Sequence, residues 1–123
     1  MPMNNPFLID PVDLFTNQAL TASGGATPSV TSEDLLIAKL SKIHVFVANS
    51  GASTNVTVTI KGKPTASSTM ESVLAVFTLG ATGTADAKAG RFIEQFPSYI
   101  YAVASNADAV NTATITVTLN RFR

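Results

Sequence analysis

The sequence predicts an all-β domain, an antiparallel β-sandwich or barrel. Two observations carry this. Seven or eight short stretches alternate apolar and polar residues, the period of a half-buried strand. Clusters of Gly, Asn, Ser and Pro separate them at near-regular spacing, which favours a sandwich or barrel over a parallel α/β sheet.

The elements follow in chain order. Pro2, Pro6 and Pro11 punctuate the start. Each removes a backbone donor and pushes its predecessor towards extended geometry. Residues 1–11 therefore read as an extended N-terminal arm, and 12–123 as a single sandwich domain. Phe7, Leu8 and Ile9 are apolar and need a surface, on this domain or on a neighbour. Residues 12–21 alternate loosely and read as a first strand. Residues 22–29, with Gly24, Gly25 and Pro28, read as a loop.

Residues 30–40 are ambiguous. Ser32 followed by Glu33 and Asp34 resembles a helix N-cap with acids in its first turn. A strand, or a turn joining strands, fits equally. Residues 42–49 place Ile43, Val45 and Val47 on one face and His44, Phe46 and Ala48 on the other. Both faces are largely apolar, as in a central strand. After a turn at 49–53, residues 55–61 alternate Val56, Val58 and Ile60 with Thr57, Thr59 and Lys61. This spacing predicts a hairpin.

Residues 72–79 predict another strand, and 80–90 a mobile loop of small residues. Residues 91–95 predict a short strand ended by Pro97. Residues 99–105 alternate again. Residues 112–120 give the cleanest signal, with Ala113, Ile115, Val117 and Leu119 opposite four threonines and Asn120. Nine residues at roughly 3.3 Å each reach about 30 Å, enough to cross a small sandwich. The segments 42–61 and 99–120 share one design, strand, Asn-containing turn, strand, and both read as hairpins.

Composition bounds the function. Only 13% of residues are charged, about half the usual share. An uncharged, Thr-rich surface associates more easily than a charged one. Eight basic residues balance eight acidic ones, so phosphate binding has little electrostatic support and nucleic acid is not an expected partner. The chain has no cysteine, which removes disulfides, thiolate metal sites and a Cys nucleophile. No stretch has the length of a membrane span or a signal peptide, so a soluble product made in the cytoplasm is expected, with no membrane partner.

Candidate chemistry is sparse. His44, the single histidine, lacks a visible orienting partner and reads as a packed structural residue. Asp10 and Asp13 lie close together but lack further oxygen ligands at ordered spacing, so no metal is expected. Glu71 and Glu94 could in principle face each other as glycosidase carboxylates do, yet nothing in the sequence brings them together. The glycines at 80, 83 and 90 lack the Lys-Ser/Thr of a phosphate loop. No enzyme activity and no cofactor are expected. The chain ends Arg121-Phe122-Arg123, either a charged guard on an edge strand or an anchor for a partner.

Two stretches carry a family resemblance. One is Asp13-Leu14-Phe15-Thr16-Asn17-Gln18-Ala19-Leu20-Thr21-Ala22-Ser23 after the arm. The other is Phe96-Pro97-Ser98-Tyr99-Ile100-Tyr101-Ala102-Val103 before the closing Thr-rich strand. Together they resemble the small jelly-roll cement (decoration) proteins of tailed-phage heads. The resemblance implies a jelly-roll-like sandwich forming homo-oligomers, often trimers, on the capsid surface of the virion. There it would bind between subunits of the major capsid protein and brace the head. Residues expected at such an interface are Pro2, Met3, Asn4, Asn5, Pro6, Phe7 and Leu8 of the arm, with Arg121, Phe122 and Arg123. The alternative is a glycan- or receptor-binding sandwich module of a tail or fibre. Tyr99, Tyr101 and the 80–90 loop support it, and the absence of tryptophan counts against it.

Overall fold

The structure, a computed structural model, describes residues 8–37 and 40–123. Nine strands appear: β1 (Leu8–Leu20), β2 (Ser29–Thr31), β3 (Leu35–Leu36), β4 (Lys42–Asn49), β5 (Val56–Lys63), β6 (Ser72–Leu79), β7 (Lys88–Ile93), β8 (Tyr99–Asn106) and β9 (Ala113–Phe122). One 3-10 turn, Ala85–Ala87, precedes β7. The all-β sandwich is therefore the fold of the chain.

The pairings are nested. β5 pairs with β6, β4 with β7, β2 and β3 with β8, and β1 with β9, all antiparallel. Val56 meets Leu79, Val47 meets Ala89, Val30 meets Ala104 and Leu20 meets Ala113. The chain is thus a ribbon doubled back at the β5–β6 turn and then wrapped. Wrapping brings β9 against β4 and β8 against β5. The result is a four-stranded sheet, β1-β9-β4-β7, over a five-stranded one, β2-β8-β5-β6 with β3 also on β8. Two such Greek-key windings make a jelly roll.

Between the sheets lie Ile43, Val45 and Val47, Val56, Val58 and Ile60, Phe77 and Leu79, Ile100, and Ile115, Val117 and Leu119, all buried. Burying each such side chain contributes roughly 2 kcal/mol, so the alternation itself fixes which face turns inward.

Two expectations change and one ambiguity is resolved. The segments 42–61 and 99–120 are not hairpins: β4 and β5 lie in different sheets, as do β8 and β9. Each is a corner, and among the described residues β5–β6 is the one hairpin joining consecutive strands of a sheet. The strand before Pro97 is Lys88–Ile93 rather than 91–95, because its pairing with β4 continues back to Ala48. Residues 30–37 form no helix. Ser32 accepts a bond from the Ala102 amide at 2.8 Å, and β3 extends along β8. Cross-strand pairing takes the hydroxyl that a helix cap would use.

β1 starts earlier than the expected domain boundary, so residues 8–11 belong to a sheet strand. It is an edge strand with register shifts around Pro11 and around Asn17, which adopts φ 46°. A proline is tolerated at such a bulged edge because no ladder donor is needed there.

The corners are held by buried polar side chains. Asn49 donates to the carbonyls of Ser53 and Gly80, both at 3.0 Å, and its Oδ1 accepts from the amides of Gly51 and Thr114. Asn106 likewise donates to the carbonyls of Thr21 and Asn111 and accepts from the Ser53 hydroxyl at 2.7 Å. Asp108 closes the second corner. The amides of Thr54, Val110 and Asn111 and the Asn111 side chain all donate to it, and they hold its carboxyl far below the usual carboxylate range.

Candidate functional site

β4 is interior to its sheet, as its two apolar faces predict, but only one face is covered. The other turns outward. Lys42, His44 and Phe46 line up along it, since residues two apart share a face. β7 adds Phe92 opposite His44, and Gly90 opposite Phe46. β9 adds Phe122 opposite Lys42, and Asn120 and Thr118 opposite His44 and Phe46.

These residues form one aromatic cluster. The His44 ring lies 4.1 Å from both Phe46 and Phe92, tilted at 56° and 66°. The Lys42 ammonium sits 5.1 Å from the Phe92 ring and 5.3 Å from Phe122, within cation–π range. Phe46 remains 44% exposed and Phe92 53%. Gly90 gives the cluster room: a Cβ there would stand 3.1 Å from His44 Cε1, which would have to shift by a few tenths of an ångström, and 3.4 Å from Phe46 Cδ1. Beside Phe46 lies a shallow hollow of about 370 Å³ lined by Ala48, Lys88, Gly90, Thr116 and Thr118. Nδ1 of His44 is buried without a hydrogen-bond partner among the described residues. Such an atom is costly to leave unpaired.

Towards β1 the same face becomes polar. Asp13 accepts from the hydroxyls of Thr118 at 2.6 Å and Thr16 at 2.8 Å. Asn17 pairs with Thr116. Asp13 is thus a strand residue engaged with threonines. Among the described residues no cluster of three or more His, Asp or Glu side chains could hold a metal ion.

The opposite outer face, on the five-stranded sheet, pairs its lysines with carboxylates. Lys61 pairs with Glu71 at 2.9 Å and Lys63 with Asp34 at 2.8 Å. Tyr101 donates its hydroxyl to Glu71, lies under Lys63 and is 7% exposed. Glu71 therefore belongs to this face, while Glu94 follows β7 of the other sheet; they do not face each other. The glycan platform expected of Tyr99 and Tyr101 loses its second ring to burial.

Of the expected interface residues, Pro2, Met3, Asn4, Asn5, Pro6 and Phe7 lie outside the described residues. Leu8 opens β1 opposite Phe122. The C-terminal residues do not guard an edge, because β9 runs between β1 and β4. Arg121 donates to the Asp10 carbonyl at 2.7 Å, Phe122 is half-buried beneath Lys42, and Arg123 is exposed. Phe122 thus joins the aromatic cluster. His44, Phe46, Phe92 and Gly90 were not among the expected interface residues. The signal available was the doubly apolar pattern of 42–49.

No protein-family model and no curated relative matches the chain. Among solved structures the fold is similar to the crystal structure of PBSX exported protein XepA. The TM-score is 0.66 at 13% identity, over 92% of this chain and 37% of that one. This chain therefore spans little more than a third of that neighbour, and the likeness is one of fold. No helix among the described residues is long and apolar enough to cross a membrane.

Proposed function

We propose that the chain is a structural virion protein, a capsid cement protein that docks through the outer face of its four-stranded sheet between major capsid subunits. The observation that carries this is the cluster of Phe46, Phe92, His44 and Lys42, solvent-facing aromatics of the kind that anchor protein interfaces. Low charge, the jelly-roll wrapping and the sequence resemblance to cement proteins support it. A protein that binds the assembled lattice and not its ruptured form stabilises it by mass action, with no chemistry required. The docked partner would cover Phe46 and Phe92.

The test is to label the chain in purified virions and locate it. It should sit on heads in a fixed ratio to the major capsid protein. Virions lacking it, or carrying it only on tails, would overturn the cement role.

A further inference from the structure

Four strand edges border the sandwich: β1 and β7 on one sheet, β2/β3 and β6 on the other. Proteins guard such edges with prolines, charges, bulges or short length, because open edges recruit other strands. β1 has Pro11 and three register shifts. β2 and β3 are three and two residues long. β7 carries Lys88 and Arg91. β6 is different. Its eight residues, Ser72–Leu79, include no charge, no proline and no glycine. Its single register shift lies near its start, leaving Ala75–Leu79 regular. Val73 is 59% exposed and Val76 49%. Among the described residues nothing pairs with its outer edge.

We propose that β6 is a strand-addition site and that its occupant is the segment Pro2–Phe7 of a second copy of this chain. Charge fits, since neither β6 nor residues 2–7 carry a charged side chain. Donor parity fits as well. Successive residues of a strand present their amide and carbonyl to alternate edges. Pro2, Asn4 and Pro6 share one edge, and Met3, Asn5 and Phe7 the other. Both prolines thus fall on the same side. The Met3, Asn5 and Phe7 side offers three complete donor–acceptor pairs to β6. The proline side faces outward, where a missing donor costs nothing and a further strand is refused.

Reach selects the second copy. Residues 2–7 extend about 20 Å, against about 17 Å for Ala75–Leu79. They depart from Leu8 on the β1 flank, whereas β6 lies beside β7 on the other flank. Three strand spacings and one sheet spacing separate the two by about 18 Å in a straight line, which would use nearly the whole segment and leave nothing to pair, so a chain's own β6 is out of range and a neighbour's is not. The contact is head-to-tail, the kind that closes into a ring when its rotation allows.

The proposal is independent of any capsid, and its test contains none. Amide hydrogen exchange in β6 is measured against concentration for four chains: full-length, lacking residues 2–7, Asn4→Pro and Asn5→Pro. Full-length and Asn4→Pro chains should associate in sedimentation and protect the outward amides of Ala75–Leu79 at least tenfold at high concentration. The shortened and Asn5→Pro chains should do neither, because a proline at 5 removes a donor from the pairing side. Val76→Lys, an edge charge at an already exposed site, should behave like the shortened chain while keeping its β-sheet circular dichroism. Equal exchange in full-length and shortened chains, or equal behaviour of the two proline variants, overturns the proposal. Protection gained only when capsids are added also overturns it and assigns the edge to a capsid segment.

Discussion

On the five-stranded sheet, Lys61 and Lys63 each meet a carboxylate, and Tyr101 is buried beneath them. On the four-stranded sheet, Lys42 lies over two phenylalanines, and two rings stay open to solvent. Among the described residues Lys42, Lys88, Arg91, Arg121 and Arg123 form no ion pair. Both faces arise from the same alternation around one core, yet the lysines of one meet carboxylates while the lysine of the other meets only aromatic rings. Half-exposed phenylalanines around an unpaired cation leave that second face with apolar area to bury against a partner.

The largest effect should come from the frame that holds both faces. Asn49→Ala strips partners from two amides and two carbonyls at the corner between β4 and β5. Thermal or urea unfolding should register a loss of roughly 3 kcal/mol. A loss under about 1 kcal/mol would mean the corner does not hold the sheets. Next comes the aromatic face. Phe46→Ser with Phe92→Ser should cost about 2 kcal/mol of stability through the lost ring–ring and cation–π contacts, leaving the chain folded, while weakening partner binding at least tenfold. Gly90→Ala should act in the same direction more mildly, since its new methyl presses on His44 and Phe46.

Tyr101→Phe on the other face should separate stability from binding. It removes the bond to Glu71, costs about 1 kcal/mol of stability and leaves binding unchanged. If it weakened binding as much as the Phe pair, the two faces would not differ in function.

The smallest effect belongs to acid. The Asp108 carboxyl is depressed by the amides that donate to it. A group with a lowered folded pKa stabilises above its unfolded value and loses that contribution as pH falls. Stability should therefore drop as pH goes below about 4, and Asp108→Asn should flatten that drop without altering binding. An unchanged acid profile in the variant would contradict the assignment.

Much of this was legible in the chain. Alternation places β4 and β6 at their observed limits and identifies the buried faces of β5 and β9. It cannot say which strand pairs with which, because Val56 alternates identically beside β4 or beside β8. The turns at Asn49 and Asn106 look like hairpin turns until their side chains are seen bonding across the corner to Gly80 and Thr21. The aromatic site was half legible. Phe46 and His44 share a face in sequence, but Phe92 and Phe122 join them only through the register of β7 and β9. The apolar second face of β4 reads as buried by protein, whereas in the isolated chain it faces out.

Docking through that exposed face can be measured on the virion. Virions depleted of the chain are incubated with wild type, with Phe46→Ser/Phe92→Ser and with Tyr101→Phe, and bound protein is counted after sedimentation. Tyr101→Phe should bind nearly as well as wild type and the double variant at least tenfold more weakly, all three remaining folded. Equal binding by all three would contradict docking through that face.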